Sequence, residues 1–402
     1  MHFHHRAIPI ALAAILIDSI GFGIVLPVLP SLVVELGHVD LAQATRIGGY
    51  LLAVYAVTHF FAGPVIGSLS DRFGRRRVLL VSLICFGTDY ALMAAAPTLA
   101  WLYLGRAIAG IAGATYGPVN AVIADVTPPE KRGQAFGWIG AAFGGGFILG
   151  PAIGGLLAEF GPRAPFVAAA ALAFANAAMI VALMPETLAP ENRRAFDWRR
   201  ANVFGAFAPL FHAGGATPLL VGGLVWQVAH MVFPATWAFW AEIALEWDAR
   251  AIGWSLAASG LSMMLAQALL TGRAIQHFGE ERTVLIGLAA GAIVFAIYAF
   301  ATAGWQVYAL IALGALTGLV FPSINAILSR RVDASNQGAL QGGMASLASI
   351  AAIVGPLVMT QALAIGTERH WAGAAFALAA ALSALTFAIF LFGVVLRRGR
   401  LA

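Results

Sequence analysis

Charge is what this sequence has least of. Asp, Glu, Lys and Arg together make up 10% of its 402 residues, and hydrophobic residues make up 61%. An average soluble domain carries about 25% charged residues. Such a balance cannot cover a water-soluble surface. There is one cysteine, Cys85, which excludes a disulfide framework and a cysteine metal cluster. Cys85 lies in an apolar run and reads as a small buried side chain. No polar stretch is long enough for a separate soluble domain, which argues against a membrane sensor with an output module. Away from the N-terminus, no cluster of histidines or carboxylates and no nucleophile beside a base gathers near one interface. That argues against a multispan enzyme. No metal site is expected.

What the chain has instead is long apolar runs. A bilayer-spanning helix needs about 20 apolar residues. Twelve runs qualify, at 8–28, 47–66, 78–96, 100–122, 135–158, 165–184, 218–240, 251–270, 283–302, 305–327, 339–361 and 371–395. The first has no small-residue cleavage site followed by a soluble chain, so it reads as a helix and not as a removed signal peptide. The expectation is an all-α membrane protein with twelve transmembrane helices, in contact with the lipid bilayer.

The net charge of +5 has a topological source and does not point to nucleic acid. If both termini are cytoplasmic, that side holds 18 basic residues, most of them in the clusters Arg72–Arg77, Arg193–Arg200 and Arg397–Arg400. The other side holds only Arg46, Arg163, Arg250 and Arg369, and Arg106 stays inside a helix. This positive-inside bias orients the chain. It also supports the count of twelve, because a missed helix would scramble the sides.

The densest charge island contains Gly67, Asp71, Arg72, Gly74, Arg75, Arg76 and Arg77. A degraded copy lies 205 residues on, where Gly272 and Gly279 match Gly67 and Gly74, while Gln276 and His277 replace Asp71 and Arg72. Gly133 and Gly338, Asn120 and Asn325, and the Gly150-Pro151 and Gly355-Pro356 pairs share that offset. Coincidences at equivalent topological places point to duplication, and parallel repeats of six helices are a known transporter plan. The expected organisation is a six-helix bundle over 1–184, a cytoplasmic linker over 185–217 and a second six-helix bundle over 218–402. The linker collects Pro185, Glu186, Pro190, Glu191, Arg193, Arg194, Asp197, Arg199 and Arg200, and it would let two rigid bundles rock.

A charged group at the bilayer centre costs roughly 2.5–3.5 kcal/mol on insertion scales, so ionisable residues inside the runs are the best functional candidates. Asp18 and Asp89 lie mid-helix in the first and third runs. Each suits either proton carriage or a structural polar contact. Arg106 lies early in the fourth run. Its guanidinium cannot practically deprotonate, so it needs a carboxylate or backbone carbonyls, and the sequence does not choose the partner. His59 and His230 suit interhelical hydrogen bonds or solute contact. Gln227, Gln267, Asn325, Gln341 and Gln361 are further polar groups on the later helices. Tyr55, Tyr116, Trp226 and Phe321 can wall a cavity or simply pack. The fifth run is rich in glycine, with Gly150, Pro151, Gly154 and Gly155. Small residues four apart let backbones approach closely, and Pro151 removes a helix hydrogen bond.

These motifs resemble the major facilitator superfamily. The first island is similar to its signature Gly-x-x-x-Asp-Arg-x-Gly-Arg-Arg at Gly67, Asp71, Arg72, Gly74, Arg75 and Arg76. The fourth run resembles a second motif at Arg106 and Gly110. The fifth resembles the antiporter motif Gly-Pro-x-x-Gly-Gly at Gly150, Pro151, Gly154 and Gly155. Further stretches around Asp18, Pro27, Asp89, Arg106, Asp125, Trp138, Pro234 and Gln341 look like the tetracycline efflux branch of drug:proton antiporters. The resemblance implies export of a small amphiphilic drug, first of all tetracycline, driven by protons through alternating access. It implies that Asp18 and Asp89 are coupling and substrate-site groups and that Gln267 and Gln341 contact substrate. Together with the residues read above, the expected coupling set is Asp18, Asp89 and Arg106, and the expected substrate contacts are His59, Tyr116, His230, Gln267, Asn325 and Gln341. It also implies a cytoplasmic gate in which Arg75 pairs with Asp125. No resident cofactor is implied, because Mg2+ would travel with the drug. A bacterial inner-membrane protein working as a monomer is expected. The alternatives are export of another drug or metabolite, and proton symport for uptake, against which the antiporter motif argues. The match is incomplete at two places. The helix 8 histidine of the family falls at Met263, and its helix 9 aspartate at Gly291.

The orientation is directly testable. A phosphatase reporter active only outside the cytoplasm, fused after Ala402, is expected to be inactive, and a fluorescent one to glow. The opposite pattern would overturn the charge-bias assignment.

Overall fold

A computed structural model of the chain describes residues 7–113, 115–128, 131–196, 217–330 and 337–395. Among these residues every regular element is helical, and eleven helical spans are long and apolar enough to cross a bilayer. The longest, Ala249–Tyr298, has 50 residues. At 1.5 Å per residue it would extend about 75 Å, far beyond a hydrocarbon core of about 30 Å. It is broken at Gly279, whose φ of 76° and ψ of 166° leave the helical region. The span is therefore two helices, and the described residues contain twelve.

These are α1 (Ala7–Gly37), α2 (Leu41–Phe73), α3 (Arg75–Ala95), α4 (Leu99–Val126), α5 (Gln134–Phe160) and α6 (Ala164–Leu183). The later ones are α7 (Pro218–Leu245), α8 (249–278), α9 (280–298), α10 (Gly304–Ser329), α11 (Gly342–Glu368) and α12 (Ala374–Gly393). Several outrun the apolar runs that mark them. α1 passes Pro27 through a 3-10 turn at Leu26–Val28 and resumes to Gly37. α2 is helical through the charged residues Asp71 and Arg72. Hydropathy marks where a helix crosses lipid, whereas backbone hydrogen bonding continues past that boundary.

The described residues fall into two compact units. One draws on Met1–Val39, Val54–Val203 and Asp248–Ala257, the other on Asp40–Ala53, Phe204–Trp247 and Ala258–Ala402. α2 and α8 thus each contribute to both. Asp197, Arg199 and Arg200 lie outside the described residues.

In the first unit the core is built from small and aliphatic side chains. Ala7, Ala11, Ala14 and Ile15 of α1 meet Leu79, Leu83, Val119, Val122, Ile139 and Ile180. Asn176 of α6 donates to the Ala14 carbonyl at 2.9 Å. Glycines of α5 remove the last spacing. A Cβ at Gly146 would stand 2.7 Å from Leu16 O, one at Gly150 would stand 2.6 Å from Ile20 O, and one at Gly154 would overlap Ile24 O. The opposite edge of the antiporter-like segment meets the start of α8: a Cβ at Gly155 would stand 2.7 Å from Ala249 O, and one at Gly253 would overlap Pro151 O. Each close approach brings more atoms within dispersion range, which is the main attraction between helices in lipid.

The second unit is held by aromatic rings. Trp240 meets Phe376 edge-on at 4.9 Å, Phe376 stacks on Tyr298 at 5.0 Å, and Trp237, Phe233 and Phe295 complete the cluster. Such pairs contribute about 0.5–1.5 kcal/mol each beyond simple burial. The start of α2 joins this unit. Arg46 pairs with Glu368 at 2.6 Å and donates to Gln361 at 3.2 Å, and Gln361 donates to the Tyr50 hydroxyl at 3.0 Å.

A matched pair of substitutions tests the α1–α5 packing. Gly140 has open space where a Cβ would go, so Gly140→Ala is expected to be neutral or to stabilise by up to ~1 kcal/mol through helix propensity. Gly154→Ala pushes into the α1 backbone and should destabilise by about 1–3 kcal/mol. Thermal midpoints in detergent would rank the two, and equal midpoints would contradict the packing.

Candidate functional site

The first unit gathers its ionisable groups in two places. Within the helices, Asp89 of α3 and Arg106 of α4 form a buried ion pair in which Arg106 Nη2 donates to Asp89 Oδ2. Asp89 has no exposed surface and Arg106 is 8% exposed. Gly105 makes the contact possible, since a Cβ there would stand 2.5 Å from Asp89 Oδ1. The guanidinium lies between two rings, 6.0 Å from the Tyr55 centroid and 5.9 Å from that of Tyr90, in reach of cation–π attraction. Among the described residues Asp89 Oδ1 and Arg106 Nε have no hydrogen-bond partner.

Asp18 of α1 lies beside this pair but outside it. It is only part-buried and sits within electrostatic reach of Tyr55, Tyr90 and Tyr116. Among the described residues no cationic side chain pairs with it. His59 stacks flat on Tyr55 at 5.6 Å. Tyr116, 37% exposed, meets Phe143 edge-on at 5.5 Å. The unit therefore brings together Asp18, His59, Asp89, Arg106 and Tyr116 around the rings of Tyr55 and Tyr90.

The second place is the turn between α2 and α3. Gly74 turns the chain with φ 101°, a conformation open mainly to glycine. Arg75 follows at the start of α3 and is the hub. Its Nη1 donates to Asp71 Oδ1 at 2.6 Å and to Ser70 Oγ at 3.1 Å, and its Nε donates to Asp125 Oδ2 at 3.2 Å. Arg72 instead lies over the Phe73 ring at 5.0 Å, and Arg76 donates to the Val181 carbonyl at 2.5 Å. Gly67 has open space around it, and nothing in the structure explains its place in the motif. One member of this turn does not stand out in the sequence. Glu186, placed there among linker residues, accepts from the backbone N–H of Arg75 at 2.8 Å and from those of Thr187 and Leu188 at 3.1 Å. Thr187 also donates to Asp125 at 3.2 Å. A carboxylate just beyond the end of α6 was the available signal.

The second unit holds the other candidates. His230 lies 5.7 Å from both Trp226 and Phe233, ring to ring. Gln267 begins a π-helical turn, Gln267–Thr271, of the kind that often marks functional segments. It faces Gly318, in a 3-10 turn of α10, together with Met263. Among the described residues Gln227 Nε2, Ser323 Oγ and Asn325 Oδ1 have no hydrogen-bond partner. The Gln341 side chain lies outside the described residues. At Gly291 a Cβ would stand 2.9 Å from the Trp226 indole, whose ring fills the space a side chain would need. Among the described residues no group of three His, Cys, Asp or Glu side chains is placed to hold a metal.

Twelve helices, a 205-residue repeat and a glycine-turned charge hub are the features of one transporter class. The sequence model of the Major Facilitator Superfamily matches residues 11–242 and 219–400. The chain belongs to that superfamily, and is a transporter and not an enzyme. Within the superfamily it is similar to tetracycline resistance proteins. It is 40% identical over 378 residues to the class C protein of Escherichia coli, covering 94% of each chain. It is 37% identical over 376 residues to the class G protein of Vibrio anguillarum, covering 90% of this chain and 92% of that one. Two solved structures share the fold. The nucleoside transporter NupG has a TM-score of 0.79 at 15% identity, covering 98% of this chain and 99% of that one. The human organic anion transporter MFSD10 (TETRAN) has a TM-score of 0.71 at 24% identity, covering 96% and 99%.

The turn predicts an ordering of substitutions. Gly67→Ala should be nearly silent. Gly74→Ala combines a strained φ with a clash against the Glu186 carboxylate, and should lower the thermal midpoint and the yield of folded protein. Glu186→Gln keeps the acceptor but removes the charge at the start of α3, a loss of about 0.3–1 kcal/mol. A midpoint for Gly74→Ala no lower than that for Gly67→Ala would contradict the geometry.

Proposed function

We propose that this chain exports a small amphiphilic drug, with tetracycline as the leading substrate, in exchange for protons by alternating access. The similarity to tetracycline resistance proteins over nine-tenths of the chain supports the substrate. The observation that carries the coupling is the unequal treatment of two membrane acids. Asp89 is neutralised by Arg106, whereas Asp18 has no cationic partner among the described residues. Asp89 thus already has its counter-charge within the helices. An acid next to tyrosine hydroxyls and without a counter-charge is the one that gains from protonation when solute leaves. Asp18 is therefore the proton carrier. The Asp89–Arg106 pair holds α3 and α4 around it, and Tyr55, Tyr90 and Tyr116 line its approach. His59, His230, Gln267, Asn325 and Gln341 are further drug contacts in this reading.

The drug binds from the cytoplasm while Asp18 is ionised. Protonation from the far side weakens binding and releases it. Mg2+ enters only as part of a drug chelate. The protein works as a monomer in a bacterial inner membrane with both termini inside, and the 185–217 segment links its two repeats. The Asp71–Arg75–Asp125 cluster is the cytoplasmic gate.

Asp18→Asn should retain the fold and drug counterflow, which needs no net proton movement, but lose drug accumulation driven by a pH gradient in inverted vesicles. Asp89→Asn should act differently, by leaving Arg106 buried without its counter-charge. Breaking a buried pair in this way costs about 3–5 kcal/mol, read as lost expression and a lower midpoint. Gradient-driven accumulation by Asp18→Asn at the unmodified rate would sink the assignment.

A further inference from the structure

We propose that Glu280 and Arg330 form a second ion-pair clamp, the charge-reversed repeat of Arg75–Asp125, and that this reversal makes it the static member while the first is built to open. The opening of the first rests on the alternating-access reading above. The electrostatic difference between the two does not.

The repeat offset of 205 carries Gly74 onto Gly279, Arg75 onto Glu280 and Asp125 onto Arg330. The backbone repeats as well, since Gly74 has φ 101° and ψ 156° and Gly279 has φ 76° and ψ 166°. In both turns the residue after the glycine begins a helix and reaches across to the end of another. Arg75 Nε meets Asp125 Oδ2 at 3.2 Å, and Arg330 Nη2 meets Glu280 Oε1 at 2.8 Å. The side chains that open the helices are nearly buried in both cases, 11% exposed for Arg75 and 13% for Glu280. The far partners differ, with Asp125 23% exposed and Arg330 75%, but the turn and the pairing recur and the signs are exchanged.

Signs matter because helix ends are not neutral. A helix N-terminus carries roughly half a positive charge and a C-terminus roughly half a negative one. Glu280 sits at the N-terminus of α9, and Arg330 follows Ser329 at the C-terminus of α10. Both charges oppose the partial charge of their helix end, so pair and dipoles reinforce each other. In the first turn both are reversed. Arg75 places a cation at the N-terminus of α3, and Asp125 places an anion one residue from the end of α4. That clamp is propped from outside the pair. Asp71 and Ser70 accept from the guanidinium, Glu186 accepts from the Arg75 backbone, and Thr187 donates to Asp125. In the second turn Gln276 stands at the position matching Asp71, so the carboxylate that props the first guanidinium has no charged counterpart at that position, and the ion pair and the helix ends act in the same direction. A clamp dependent on several props lets go when one prop moves, whereas a self-consistent one does not.

Amide hydrogen exchange on the full-length protein in detergent tests the electrostatic difference. After correction for intrinsic rates, amides at 76–78 should exchange about tenfold faster than those at 281–283, the Arg75 amide being set aside because Glu186 holds it. The double substitution Glu280→Arg with Arg330→Glu keeps a pair but turns it against the dipoles, and should accelerate 281–283 to the level of the first turn. If that variant does not fold, Glu280→Gln should show acceleration of the same direction. Equal rates in the two native turns, or no acceleration in the variants, would overturn the proposal. The static role is tested on a Cys85→Ser background. Bridging Glu280→Cys and Arg330→Cys with a short bifunctional thiol reagent should leave tetracycline uptake into inverted vesicles intact. Loss of uptake on bridging, restored by reductant, would overturn it. Failure of the unmodified protein to move tetracycline would count against the proposed function alone, with the exchange result standing by itself.

Discussion

A guanidinium that cannot shed its proton must be neutralised wherever a fold buries it, and the arrangement of the first unit follows from how Arg106 is satisfied. Asp89 is the counter-charge, brought from the adjacent α3 and seated against Gly105. The faces of Tyr55 and Tyr90 lie about the cation within cation–π range. With the positive charge committed, Asp18 on α1 stays a separate acid within electrostatic reach of Tyr55, Tyr90 and Tyr116. One pairing thus places two similar aspartates in different electrostatic surroundings. The α5 glycines matter for the same reason, because they hold α1, and so Asp18, at a fixed depth beside α3 and α4.

The two turns at Gly74 and Gly279 separate what the backbone demands from what the side chains choose. Both require positive φ, so both kept glycine. The residues around them were free to diverge, and did so by exchanging sign at 75 and 280 and at 125 and 330. The two units diverged similarly in their cores. One is packed by alanine and aliphatic side chains drawn close by glycine, the other by a cluster of rings around Phe376. Either solution fills space between helices without relying on water to drive it.

The number of spans and the repeat were legible from hydropathy and spacing, because lipid imposes length and the turns impose glycine. The ends of α1 and α2 were not, since a helix continues past the lipid boundary without changing its pattern. That Arg106 needed an acid was legible, but the choice between Asp18 and Asp89 was not, because it depends on how α1, α3 and α4 rotate about their axes. Glu186 escaped notice because it lies outside the apolar runs, in a segment where charge is ordinary. Its importance comes from where the end of α6 delivers it. The π-helical turn at Gln267 has no sequence signature distinct from an ordinary helix.

Trp226 over Gly291 has a consequence for how such a protein can change. The position where the resemblance places an acid is not merely lacking one, since an indole now occupies the volume. A carboxylate placed at 291 by itself would wedge into the ring. Shrinking Trp226 by itself would open a hole beside Phe295. Positions 226 and 291 are therefore coupled, and a side chain at one and a large ring at the other exclude each other.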